Sequence, residues 1–345
     1  MRIAIVNDVM MAVEAVRRVI AGSSGHQLAW IALDGEEAVE RCAADTPDLI
    51  LMDLIMPRMD GIEATRRIMT NSPCAIVVVT ASVNDNSSRV FEAMGAGALD
   101  AVNTPVLESP GSADGAHALL TKIETIRKLI GAPAVGRAAA AGDLARFRPV
   151  ERPETLVAIG ASAGGPAALA KVLSQLPANF PAPIVLVQHV DVQFAKGLAD
   201  WLQYHTPLQV RIAQEGDRPT LGTVLLAGTD HHLIFGPSGR LTYVSEPSDC
   251  SYRPSIDVFF KSVEASWEGP VVAALLTGMG RDGAEGLRRL RNQGHHTIAQ
   301  DRASSAVYGM PKAAAELEAA SEILPIEKIG PRLVQLLSQK VKTNV

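Results

Sequence analysis

The chain has 345 residues, 47% of them apolar and 20% charged, and carries a net charge of −5 at pH 7. That length allows two domains at about 150 residues each, and the acidic balance gives no basic footprint for nucleic acid. The first apolar run meets Asp8 too early for a secretory signal, and the longest apolar stretches, such as 271–276, are far too short to span a membrane.

Cys42, Cys74 and Cys250 are odd in number and widely scattered, which suggests neither a disulfide framework nor a zinc cluster; they read as small buried apolar residues. A cytosolic protein with no nucleic-acid partner and no membrane insertion is expected.

Residues 1–130 alternate short apolar runs with helix-like segments. Strands are predicted at 3–6, 28–33, 49–52, 76–80 and 98–102, and segments such as 13–20 and 61–69 carry apolar residues at helical spacing with arginines opposite. Such a pattern folds as a parallel sheet covered by helices on both faces. Asp8 follows the first strand, Asp53 ends the third and Thr80 ends the fourth, so all three fall at the carboxyl edge, where ligand sites of such sheets lie. Two carboxylates there repel one another, and a hard divalent cation with oxygen ligands relieves the repulsion. Asp53 could then attack a phosphoryl donor, with magnesium offsetting charge and the Thr80 hydroxyl bonding the transferred group. Each residue alone also suits a helix N-cap; their joint placement favours the phosphoryl site.

The segment Met52-Asp53-Leu54-Ile55-Met56-Pro57-Arg58-Met59-Asp60-Gly61 resembles the phosphoacceptor segment of response-regulator receiver domains, over residues 1–125. The resemblance implies a flavodoxin-like fold, phosphorylation on Asp53, magnesium bound by Asp8, Asp53 and the Ile55 carbonyl, and a histidine kinase as phosphodonor. Three positions depart from the pattern. Asn7 replaces a second acidic residue, Thr104 replaces the lysine before a cis-type proline, here Pro105, and Ala101 replaces the switch aromatic of the fifth strand.

Residues 126–153 read as a linker, within which the alanine-rich 138–147 could form a short helix. Apolar runs at 156–159, 184–188, 224–227 and 271–276 then restart the alternation, giving a second α/β domain over 154–345. The first of them leads into Ala158-Ile159-Gly160-Ala161-Ser162-Ala163-Gly164-Gly165-Pro166. A serine between glycines at a strand-to-helix turn can present its oxygen for attack, although such turns also cradle phosphates or simply turn.

A nucleophilic serine needs a base, and the base an orienting carboxylate. His189 directly follows 184–188, and Asp282 lies in Thr277-Gly278-Met279-Gly280-Arg281-Asp282-Gly283, directly after 271–276. Three strand ends thus bring Ser162, His189 and Asp282 to one sheet edge. The Met279 N–H, between two glycines, is the oxyanion candidate. His189 could instead be a hydrogen-bonded core residue, and Asp282 a cap for the helix beginning near Gly283. His231-His232 and His295-His296 are competing bases; neither pair has a helical i, i+4 metal face, and both read as structural or exposed. The order Ser, His, acid differs from the Ser, acid, His order of α/β-hydrolases.

The segments Gly160 to Gly165, Gln188-His189, Arg253-Pro254-Ser255-Ile256-Asp257-Val258 and Thr277 to Ala284 resemble the catalytic domain of chemotaxis protein-glutamate methylesterases, the CheB family. With a receiver in front, the resemblance covers nearly the whole chain. It implies that Ser162 attacks a glutamate γ-methyl ester on a methyl-accepting chemoreceptor, His189 shuttles the proton and Asp282 orients His189, with no cofactor for the esterase. It also implies deamidation of receptor glutamines, and an unphosphorylated receiver that covers the catalytic mouth until Asp53 is phosphorylated by the chemosensory kinase. Ala163 stands where the family carries threonine. The set Asn7, Ala101 and Thr104 is most similar to the WspF branch, which acts in a receptor pathway controlling a diguanylate cyclase and hence cyclic-di-GMP. Two other readings are a receiver fused to a nucleotide-binding domain, which lacks the Gly-x-Gly-x-x-Gly or Walker lysine it needs, and a catalytically weak regulator that acts by docking to receptor or kinase.

Overall fold

The computed structural model describes residues 1–23, 25–83, 86–105, 112–131, 154–250 and 252–342. The N-terminal half runs β1 Arg2–Val6, α1 Met10–Ala21, β2 Gln27–Ala32, α2 Gly35–Ala44, β3 Leu49–Met52, α3 Gly61–Asn71, β4 Ala75–Thr80, α4 Ser87–Gly95, β5 Asp100–Asn103 and α5 Ser112–Gly131. The strands pair in parallel in the order β2-β1-β3-β4-β5. Every residue of β3 and β4 is buried, which explains why these strands read as unbroken apolar runs rather than alternating ones. Asp34 and Asp60 start α2 and α3 by accepting the Glu37 and Glu63 N–H groups. The predicted five strands are all present, with ends shifted by one or two residues.

The C-terminal half runs β6 Leu156–Ala161, α6 Gly165–Leu173, β7 Ile184–Gln188, α7 Val192–Gln203, β8 Gln209–Ile212, β9 Thr223–Leu226, β10 His232–Phe235, β11 Leu241–Val244, α8 Ile256–Ser266, β12 Val271–Leu275, α9 Ala284–Asn292, β13 His296–Gln300, α10 Met310–Glu316, β14 Glu322–Leu324 and α11 Ile326–Lys342. Seven strands form a parallel sheet in the order β14-β13-β12-β6-β7-β9-β8, and β10-β11 is a separate antiparallel hairpin. Four strands were expected. The missed ones, Gln-Val-Arg-Ile in β8 and His-Thr-Ile-Ala-Gln in β13 among them, mix polar residues into short runs and lack a clean period.

Chain order reverses at β6, which pairs β7 on one side and β12 on the other, opening a crevice at their carboxyl ends. In the N-terminal sheet β1 holds the equivalent position between β2 and β3.

The two halves pack directly. One apolar cluster runs from Val78, Val90, Phe91 and Met94 into Ala168, Leu169 and Leu198. Phe91 of α4 lies against Trp201 of α7, ring centroids 5.9 Å apart. α5 extends beyond residue 125, and 132–153, with the predicted short helix, lie outside the described residues. Cys42 and Cys74, distant in sequence, have their Sγ atoms 3.9 Å apart, and of the three cysteines Cys42 alone is fully buried. The Thr104–Pro105 peptide, expected to be cis, is not among the cis bonds of the described residues, which are Glu246–Pro247 and Arg253–Pro254.

Candidate active site and phosphoryl pocket

At the carboxyl edge of the first sheet, Asp53 receives the Leu54 N–H on Oδ1 at 2.7 Å and the Asn7 side-chain amide on Oδ2 at 3.1 Å. The Asn7 carbonyl oxygen accepts the Val9 N–H at 2.8 Å, which fixes the amide with its nitrogen toward Asp53. A neutral donor therefore occupies the place of the expected acid. Burial pushes the Asp53 carboxyl up to about 6 against the pull of the Leu54 and Ile55 N–H groups, and the Asp8 charge adds to the rise. A divalent cation on the Asp8 and Asp53 carboxylates and the Ile55 carbonyl would relieve that charge, so this oxygen donor set fits magnesium.

Thr80 is buried, and its hydroxyl accepts from Asn86 at 3.2 Å, just before α4. Ala101 is buried among apolar side chains and offers nothing for Thr80 to displace, whereas Asn86 ties the threonine to the helix that meets the second domain. Thr104 is seated beside the pocket by its N–H, which donates to the Thr80 carbonyl at 2.9 Å.

In the second sheet, β6, β7 and β12 are neighbours, and the three residues expected to act together follow their ends. Ser162 leaves β6, and its N–H donates to the Thr277 carbonyl beyond β12 at 3.0 Å. The turn needs glycine at Gly164, where φ is +76° and a Cβ would come within 2.6 Å of the Ala306 Cβ. At Gly278 an added Cβ would come within 2.7 Å of the Ser162 Cβ, so the loop carrying Met279 passes tight against the serine.

His189 donates from Nε2 to Asp282 Oδ2 at 2.8 Å, while its Nδ1 is buried and has no hydrogen-bond partner among the described residues. The carboxylate thus fixes one tautomer and leaves the Nδ1 lone pair able to take a proton. The Ser162–His189 hydrogen bond is not made in this arrangement, as is common before substrate tightens a site.

Asp282 also accepts the N–H groups of Ile256 and Asp257 at 2.7 and 3.0 Å, at the positive end of α8. Burial alone would raise its carboxyl, but His189 and these backbone donors outweigh it and hold Asp282 below the usual range. Asp282 serves His189 and α8; it does not cap α9, whose N-cap is Gly283.

Four supporting residues escaped sequence reasoning. Gln188, fully buried, donates from one amide nitrogen to the Ser162 and His189 carbonyls, both at 2.9 Å. The Thr277 hydroxyl donates to the Ala163 carbonyl at 2.8 Å, so this turn is held through its backbone where the family's threonine hydroxyl is missing. Tyr252 stacks on His189 with ring centroids 4.0 Å apart. Lys122 of α5, nearly buried, reaches Asp100 of β5 at 2.6 Å and Asp191, two residues past His189, at 3.2 Å. Burial would depress the Lys122 ammonium, but its two carboxylates outweigh that and raise it. No local pattern marks Tyr252 or Lys122, whereas Gln188 and Thr277 lie inside the Gln188-His189 and Thr277 to Ala284 segments, with no role assigned to them there.

Of the competing bases, His231 is exposed and pairs with its neighbour Asp230, while His232 is fully buried and hydrogen-bonded at both ring nitrogens. His296 opens β13 beside Glu322 at 2.9 Å, away from the triad edge. Among the described residues no helix is long and apolar enough to cross a membrane.

Residues 157–333 match the family model described as CheB methylesterase, and residues 3–109 match the response regulator receiver domain. The chain is 58% identical to protein-glutamate methylesterase/protein-glutamine glutaminase 2 of Cupriavidus metallidurans, over 97% of this chain and 98% of that one. It is 57% identical to the protein of the same name from Pseudomonas syringae pv. syringae, over 98% of this chain and all of that one. The crystal structure of the Thermotoga maritima CheB methylesterase catalytic domain is similar to 54% of this chain, covering all of its own, with a TM-score of 0.50 and 35% identity.

Proposed function

The chain belongs to the CheB methylesterase family and carries a response-regulator receiver domain in front, and on that premise we propose that it hydrolyses glutamate γ-methyl esters on methyl-accepting chemoreceptors under control of Asp53 phosphorylation. The observation that carries this reading is the His189–Asp282 bond at 2.8 Å with Nδ1 unbonded among the described residues, His189 following the strand beside the one that Ser162 leaves.

Ser162 Oγ attacks the ester carbonyl carbon as its proton passes to His189 Nδ1. The C–O bond then breaks, and methanol leaves with that proton. Water, deprotonated at the same nitrogen, attacks the acyl-serine and releases the glutamate carboxylate and the serine. The negative oxygen of each tetrahedral intermediate lies toward the Met279 N–H. A side-chain amide offers the same carbonyl with ammonia as leaving group, so receptor glutamines are a second substrate.

The receiver keeps the unphosphorylated enzyme closed. Ser162 and His189 are only 3% and 5% exposed with the two halves packed together, which supports a closed site. Lys122 and the α4 contact with α6 and α7 hold the halves together beside that site. The chemosensory histidine kinase donates a phosphoryl group to Asp53. Asp8, Asp53 and the Ile55 carbonyl would hold magnesium, which when bound offsets negative charge in the pocket. Phosphorylation draws Thr80 away from Asn86 and shifts the population toward undocked domains. The Asn7, Ala101 and Thr104 set supports the further reading that the protein acts in a WspF-type cytoplasmic pathway that controls cyclic-di-GMP.

A serine-reactive fluorophosphonate tests the centre. Labelling on Ser162 that disappears in His189→Ala supports the reading, and absence of labelling in the phosphorylated protein overturns it.

A further inference from the structure

Beyond the triad, we propose that Ser255 and His232 are positioning residues which set the orientation of Asp282 and, through it, of the His189 ring. This inference rests on the esterase reading above. Its ground is a run of hydrogen bonds in which chemistry decides every donor. The Pro247 carbonyl only accepts, so the His232 Nε2 at 2.9 Å carries a proton. The Ser255 N–H only donates, so the His232 Nδ1 at 3.0 Å is a lone pair. Fully buried His232 is thereby neutral and confined to one tautomer.

Ser255 is the N-cap of α8, and its oxygen accepts the Val258 N–H at 3.3 Å. A cap needs nothing more, yet the hydroxyl proton is aimed at Asp282 Oδ1, 2.8 Å away and 27 positions along the chain. The two remaining donors to Asp282, apart from His189 itself, are backbone N–H groups of α8, so Ser255 is its one supporting side chain among the described residues. The run ends at His189, whose Nε2 donates to the Asp282 carboxylate so held, while its Nδ1 has no hydrogen-bond partner among the described residues. Side chains that lock a reacting group act through small displacements, to which rate is steeply sensitive.

Full-length Ser255→Gly, Ser255→Ala and Ser255→Thr proteins, assayed by methanol release from methylated receptor membranes, separate positioning from capping. Glycine serves nearly as well as serine at an N-cap, so Ser255→Gly removes the hydroxyl while the helix start survives. The expected result is a fall in kcat of about tenfold to a hundredfold, with KM and melting temperature little changed in Ser255→Gly and activity restored by threonine. His232→Ala lowers kcat likewise, and His232→Asn, whose Oδ1 can stand where Nδ1 accepts, recovers it. Equal kcat in wild type and Ser255→Gly overturns the inference, as does a loss that threonine fails to restore. Equal release by wild type and Ser162→Ala, run alongside, instead overturns the esterase reading.

Discussion

Gly95 closes α4 where the receiver meets α6, and a Cβ built there would come to 2.7 Å of the Ala167 Cβ. Real Cβ contacts do not tolerate that distance, and Ala167, fixed on its helix, has no rotamer with which to retreat. Gly95→Ala is compatible with the backbone, because Gly95 is not among the glycines with positive φ. Within the receiver alone the change is neutral or mildly stabilising, since alanine favours helix over glycine by up to about 1 kcal/mol. The cost falls on docking. Overpacking a close contact costs about 1–3 kcal/mol, which corresponds to a shift of about 5- to 150-fold in the docked-to-open ratio.

If docking shuts the site, basal methanol release by the unphosphorylated protein rises by that factor, while the fully phosphorylated rate stays put. Ala167→Gly in the same chain removes the clash and returns the basal rate toward wild type, with little effect by itself. A folded Gly95→Ala protein whose basal rate equals that of wild type would refute the docked, closed state.

Three further outcomes follow from the same geometry. Lys122→Met leaves Asp100 and Asp191 facing each other without their cation, and the basal rate is expected to rise at least about tenfold, given that losing one partner of a buried pair costs several kcal/mol; an unchanged rate contradicts the anchoring role. Burial and the neighbouring Asp282 raise the Asp257 carboxyl to about 7. Its folded value lies above its unfolded one, so the native state holds the extra proton, and stability is lost as pH rises from about 4 through about 7. Asp257→Asn, which can still accept the Gly286 N–H, should melt about 2–8 °C higher than wild type at pH 8, taking about 1–2 kcal/mol at 2–4 °C each, and equally at pH 4; a pH-independent difference counts against this assignment. Finally, Asp53→Asn should remove activation by a small-molecule phosphodonor and leave the basal rate intact, whereas activation that survives places the control elsewhere.

The sequence made the placement of the candidate triad legible for a physical reason. Ser162, His189 and Asp282 all follow short, fully buried apolar strands, whose carboxyl ends converge at the point where chain order reverses. The placement of Asp8, Asp53 and Thr80 at the edge of the first sheet was legible on the same ground. What escaped depends on contacts between distant elements. Lys122 reads as an ordinary helix lysine until α5 is set against Asp191, and Tyr252 as a loop aromatic until it covers His189. Ser255 entered only as part of the Arg253 to Val258 segment, and His232 only as a pair with His231. Asn7 signalled a missing charge, but not that its amide would turn its donor toward Asp53.

The most direct test of the account is methanol release from methylated receptor membranes by phosphorylated wild type, Ser162→Ala and Asp282→Asn proteins. The account predicts release by wild type, none above background from Ser162→Ala, and a rate reduced by several orders of magnitude in Asp282→Asn, where the His189 tautomer is no longer fixed. Release by Ser162→Ala at the wild-type rate would contradict it.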